Sequence, residues 1–143
     1  MTHIYRHALL PYPAQQMFDL VNDIPSYPEY MDGCVGAEIL HTDGQVVEAR
    51  LVLSRGGLRQ SFSTRNTLDA PRSITLELLD GPFDRFRGRW DFLALGEAAC
   101  KVTLDLEFSV NNVLVGAAVT RLFDRVTNNL VDALSRRARQ LYG

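Results

Sequence analysis

At 143 residues the chain has the length of one domain, and residues 1–143 read as such, with a core large enough to fold without covalent staples. A hydrophobic share of 46%, a charged share of 22% and a formal net charge of −2 are those of a soluble globular protein and exclude bulk attraction to nucleic acid or an anionic membrane. Cys34 and Cys100 lie far apart with no CxxC spacing, which leaves no zinc or redox motif, and free thiols in a reducing cytosol are expected ahead of a disulfide. The N-terminus lacks a signal-peptide core, and the apolar run from Val113 to Val119 is far short of a membrane span, so a cytoplasmic protein without a transmembrane segment is expected. Lys101 is the only Lys, and every other formal cation is an Arg, a side chain suited to bidentate contact with phosphate and carboxylate.

Ile4 to Leu10 reads as a strand closed by Pro11. Pro13 stands where a first helical residue would, and Met17, Phe18, Leu20 and Val21 supply the stripe of a short helix ending near Asn22. Ser26-Tyr27-Pro28-Glu29 has the form of a capping box and predicts a second, very short helix through Met31. Strand-like runs then follow one another: Val35 to His41, Val46 to Leu53, Leu58 to Leu68 and Ser73 to Leu79, separated by turn residues such as Asp43-Gly44 and Arg55-Gly56-Gly57.

Gly81 to Leu95 holds a strand whose two sides face different media. Phe86, Gly88, Trp90 and Phe92 share one face, an aromatic wall with a gap at Gly88, while Arg85, Arg87 and Arg89 share the other. Ala99 to Phe108 alternates most cleanly of all, with Val102, Leu104 and Leu106 opposed to Lys101, Thr103, Asp105 and Glu107. After Asn111-Asn112 the period changes to that of a helix, with Val115, Val119, Leu122, Phe123, Val126, Leu130, Leu134 and Leu141 as its stripe. A single helix from there to Tyr142 would run about 45 Å, with Gly116 a candidate for bending its start. The order is one strand, two short helices, about six consecutive strands and one long helix. An antiparallel meander needs a cover for its apolar face, and the C-terminal helix is the only element large enough. The predicted fold is therefore α+β: a curved antiparallel sheet gripping a helix, with a ligand-sized cavity between them.

Leu20-Val21-Asn22-Asp23-Ile24, Tyr27-Pro28-Glu29-Tyr30-Met31, Asp80-Gly81-Pro82-Phe83, Gly88-Arg89-Trp90-Asp91-Phe92 and the closing Arg137 to Gly143 together resemble the coenzyme Q-binding and ribosome-association-toxin branch of the START-like (polyketide cyclase-like) superfamily. The resemblance covers essentially the whole chain, with Tyr30 and Met31 standing where the family usually has Phe or Leu. It implies a helix-grip fold of the START/Bet v 1 kind. It also implies either ubiquinone binding in support of respiration or inhibition of ribosomal subunit joining.

Two candidate sites follow. The cavity wall is expected from Phe62, Thr64, Asn66, Leu76 and Leu78, continued by Phe86, Trp90, Phe92, Val102, Leu104 and Leu106. Val119, Leu122, Phe123 and Val126 cap it from the helix. A ubiquinone or similar prenylated lipid suits such a wall, and Asn66 offers an amide for a quinone carbonyl; equally, these residues fill a core and Asn66 finds water or backbone. The second site is the row Arg85, Arg87 and Arg89, about 6.6 Å apart, with Arg65 on a preceding strand. It is either an RNA contact on a ribosomal subunit or a solvated face paired with Asp91, Asp105 and Glu107. No nucleophile can be placed beside His3, His7 or His41, and no inward carboxylate pair exists, so binding without a required cofactor is expected in preference to catalysis. An aromatase or cyclase is the weakest of the three readings.

Overall fold

The structure, a computed structural model, describes residues 2–110 and 113–143. Its elements are β1 (Thr2–Leu10), α1 (Ala14–Asn22), a 3-10 turn (Ile24–Glu29), β2 (Cys34–Asp43), β3 (Val46–Arg55), β4 (Leu58–Asp69), β5 (Ser73–Asp80), β6 (Arg85–Ala94), β7 (Cys100–Ser109), α2 (Val113–Asn128) and α3 (Leu130–Tyr142). The strands form one 7-stranded antiparallel sheet in the order β1-β7-β6-β5-β4-β3-β2. Consecutive strands are neighbours throughout β2 to β7, as short turns between alternating segments require. Only β1 crosses over, leaving the two short helices to span the sheet before β2 begins. Irregularities at Cys34/Gly36, Ile39/His41 and Ser63/Thr64 bend β2 and β4 and close the sheet around the helices.

The inner face is apolar because the alternation is. Cys100, Val102, Leu104, Leu106 and Phe108 are all buried, while the residues between them are not. Five phenylalanines then join sheet to helix. Phe123 of α2 lies 4.8 Å from both Phe83 and Phe108 and 5.1 Å from Phe62, ring centroid to centroid, with edge-to-face geometry each time. Phe86 completes the cluster at 5.8 Å. Such edge-to-face pairs add about 0.5–1.5 kcal/mol each beyond the area they bury.

The C-terminal helix is not continuous, and this corrects the expectation of one straight rod. It breaks between α2 and α3 at Asn129, not at Gly116. Thr127 Oγ1 donates to the Phe123 carbonyl at 2.7 Å, Asn128 Nδ2 to Asp124 at 2.8 Å and Asn129 Nδ2 to Arg125 at 2.9 Å. Three consecutive side chains thus compete with backbone N–H groups for the last carbonyls of α2. The amide of Asn129 shifts to a 3-10 bond with Val126, and α3 starts afresh from the Asn129 carbonyl. Arg6, whose position in β1 faces inward, donates to Asn128 and holds this corner to the sheet. Beyond the bend Val131, Leu134 and Ala138 are buried, whereas Leu141, predicted on the core stripe, is 51% exposed. The Asn111-Asn112 break and the side chain of Val115 lie outside the described residues.

The second short helix is a 3-10 turn that starts at Ile24, and Ser26 is not its cap. Its hydroxyl donates to Asp23 at 2.7 Å, so the predicted capping box does not form. The turn is held from two other directions. The buried Tyr27 hydroxyl donates to the Val21 carbonyl, and Gly33 (φ +91°) lets the chain pass so near α2 that an added Cβ would sit 2.8 Å from Val126 Cγ2. Removing the ring at the centre of the aromatic cluster (Phe123→Ala) should lower the free energy of unfolding by about 3–5 kcal/mol, read from the midpoint shift in urea denaturation at unchanged slope.

Candidate ligand cavity and cationic surfaces

A cavity lies between the sheet and α2, closed on its third side by α1 and the 3-10 turn. Phe62, Thr64, Asn66, Leu76, Phe86, Trp90, Leu104 and Leu106 line it from the sheet, and Phe123 and Val126 from α2, as their parity predicts. Five residues expected in the wall are elsewhere. Val102 is fully buried in the sheet behind Phe92, its register partner. Phe92 itself packs edge-on against Phe18 of α1 at 5.6 Å. Leu78 sits beside Gly81, Val119 is buried outside the lining, and Leu122 turns to the opposite side of α2. The gap at Gly88 is not an opening either: an added Cβ would meet Leu106 Cδ1 at 2.9 Å and Leu76 Cδ1 at 3.1 Å, so the leucines already fill it.

Parity along strands could not find the third wall. Val21, Asn22, Ile24, Tyr27 and Met31 line the cavity from α1 and the 3-10 turn, and Cys34, Ala49, Leu51 and Leu53 from the β2–β3 end. The signal was the dense apolar content of Leu20 to Met31, more than a capping role uses. The volume is about 80 Å³. That is less than the ~150 Å³ of an apolar cavity able to hold benzene, so a polyprenyl tail does not fit the space as it stands.

The polar atoms of the wall are few. Thr64 Oγ1 donates to Asn66 Oδ1 at 2.8 Å, so this carbonyl finds its partner inside the wall and the amide NH2 is what Asn66 has left to offer. Thr127 is committed to the Phe123 carbonyl. Asn22 Oδ1 is buried and, among the described residues, accepts no hydrogen bond. An unmet buried acceptor costs about 1–3 kcal/mol. Behind the cavity, Arg137 lies 5.2 Å from the centre of the Tyr30 ring and 3.8 Å from Glu29. Burial pushes the hydroxyl of Tyr30 well above its ordinary range, with Arg137 opposing the shift, and burial raises Tyr27 likewise, so both phenols stay neutral.

The Arg row is exposed but already engaged. Arg87 meets Glu107 at 3.3 Å, Arg89 meets Asp91 at 2.9 Å and Arg65 meets Glu48 at 3.0 Å. The register explains this. Glu48, Arg65, Glu77, Arg87 and Glu107 face one another across five strands, so charges alternate in sign along one row of the sheet, which ends at His3 on β1. His3 Nε2 bonds Asp105 at 2.6 Å beside that row. Of the carboxylates expected beside this row, Asp91 and Glu107 pair with it while Asp105 bonds His3, and Arg85 is exposed at the start of β6.

The sequence pattern of the polyketide cyclase/dehydrase and lipid transport family matches residues 10–135. The chain belongs to that family. It is 48% identical over 142 residues to the ribosome association toxin RatA of Pseudomonas aeruginosa, with 99% of each chain covered. A START superfamily protein from Mycobacterium smegmatis shares the fold at a TM-score of 0.81 and 25% identity, covering 97% of this chain and 98% of that one. The Zhui aromatase/cyclase from Streptomyces superposes at a TM-score of 0.85 over 97% of this chain and 94% of its own, but at 17% identity this shows the fold alone. The START-like family expected from the motifs is therefore the one found, in a helix-grip fold with a bent helix. Among the described residues no helix is long and apolar enough to cross a membrane.

Cys34 and Cys100 are buried free thiols whose pKa burial raises, which suppresses the reactive thiolate. Both should resist a thiol reagent such as Ellman's in the native protein at mildly alkaline pH and react at once in denaturant, as counted by released chromophore.

Proposed function

We propose that this chain associates with the ribosome, binding the large subunit and blocking subunit joining. The observation that carries this is the end-to-end identity with a protein named for ribosome association, 48% over 142 residues. A match of that length supports a shared job as well as a shared fold, where the remote enzyme neighbours support the fold only. Purified protein added to dissociated ribosomes should travel with the large subunit through a sucrose gradient and lower the peak of joined ribosomes. Protein left at the top of the gradient, with joining unaffected, overturns the proposal.

A second reading, which the cavity favours, is that the domain also holds a flat apolar ligand with a polar edge, such as a quinone ring. Its support is the spare amide NH2 of Asn66, a donor for a quinone carbonyl, in an otherwise apolar, aromatic wall; the unpartnered Asn22 Oδ1 needs a donor, which only the hydroxyl of the reduced quinol supplies. At about 80 Å³ the cavity is smaller than even the ring needs, so this reading requires α1, the 3-10 turn or α2 to move apart as the ligand enters. Trp90 is the single tryptophan and lines the cavity, so its fluorescence reports occupancy directly. A short-chain ubiquinone should quench it saturably, and quenching that rises only linearly with quinone rules this ligand out.

A further inference from the structure

We propose that the chain takes up RNA in a groove between the β3–β4 turn and α2, with arginines on its rim holding backbone phosphates. The inference deepens the ribosome reading above and rests on it for the origin of the RNA. The groove is about 260 Å³ and lies on the far side of α2 from the buried cavity. Arg55 stands on the turn, and Arg121 and Arg125 stand on α2 facing it. Leu58, Leu122 and Ala118 make the floor.

Charge decides between this groove and the sheet face. A phosphate approaching the sheet meets Glu48, Glu77 and Glu107 interleaved with the arginines, so attraction and repulsion nearly cancel. In the groove the only carboxylate paired with a rim arginine, among the described residues, is Asp32, 3.2 Å from Arg55. Among the described residues no carboxylate pairs with Arg121 or Arg125. Asp124 precedes Arg125 in sequence but is not part of the lining. All three rim arginines are exposed, and Arg55 would exchange its surface contact with Asp32 for a phosphate.

Spacing then suits a chain of phosphates better than one. Arg121 and Arg125 are four residues apart, about 6 Å along the helix and on one face, with Arg55 opposite. Guanidinium forks grip phosphate oxygens in pairs. The leucine floor offers sugar and base faces an apolar surface, which an isolated anion would not use. Because the whole protein carries a net charge of −2, uptake depends on this local convergence rather than on long-range attraction.

The test uses the full chain, a fluorescein-labelled oligouridylate and purified ribosomal RNA, with binding read by anisotropy over a salt series. R121E/R125E should lose at least about tenfold in affinity for both RNAs while its thermal melting is unchanged. R121A/R125A should lower the slope of log K against log salt by about 1.4, about 0.7 for each lost phosphate contact on a single strand. R85A/R87A/R89A on the sheet face should bind within about twofold of the parent. The proposal is overturned if the parent binds neither RNA, if R121E/R125E binds as the parent does, or if only the sheet variant loses binding. It also fails if R121E/R125E loses ribosome co-sedimentation yet keeps its RNA affinity, for the groove would then contact an acidic protein. Parent protein that co-sediments while R121E/R125E binds RNA unchanged sinks the groove and leaves the ribosome reading standing. Groove-dependent RNA binding without co-sedimentation does the reverse.

Discussion

Sheet and helix are held at a fixed spacing by one cluster, the ring of Phe123 set among Phe62, Phe83, Phe86 and Phe108. A sheet that curls needs something to curl around, and an aliphatic helix face alone would slide along it. Edge-to-face rings resist sliding because their attraction depends on mutual angle as well as on distance. The cluster draws from β4, the β5–β6 loop, β6, β7 and α2, so it fixes the separation of helix and sheet at one end of the domain. The remaining space between them, towards α1 and the 3-10 turn, is what becomes the cavity.

Helix α2 consequently serves two surfaces. Phe123, Val126 and Thr127 look into the cavity, while Arg121, Leu122 and Arg125 look into the groove. These sets interleave at helical spacing, so no residue belongs to both. Any ligand that moved α2 relative to the sheet would also move two of the three arginines relative to Arg55. The two readings of function are thus physically compatible, since they use opposite sides of one element.

Most of the architecture was legible in the sequence because each strand of the sheet separates water from core. Ala99 to Phe108 needs nothing else to be read, and eight of the eleven strand residues assigned to the cavity wall by parity do line it, with two of the four from the helix. The failures have physical causes. Phe92 and Val102 have the right parity but lie under α1, and parity along a strand does not say how far along it a cavity extends. Tyr27 and Asn22 were invisible because their orientation is set by tertiary contacts such as the Tyr27 bond to the Val21 carbonyl. The arginine row looked like a cationic stripe while Glu48 and Glu77 were on other strands, and only the register brings them beside Arg65 and Arg87. The groove draws Arg55 and Arg121 from distant parts of the chain and has no local pattern at all.

The break at Asn129 sets how much space this fold encloses. A straight rod laid in a curved trough touches it along a short stretch and leaves a long void; a jointed one follows the trough and leaves a short void. Here the joint is made by three neighbouring polar side chains turned back onto their own helix, and the void that remains is about 80 Å³. Capacity in such a domain is therefore a matter of bend angle as much as of wall residues. Substitutions at 127, 128 and 129 can change the size of that void without touching any atom of the sheet that walls it.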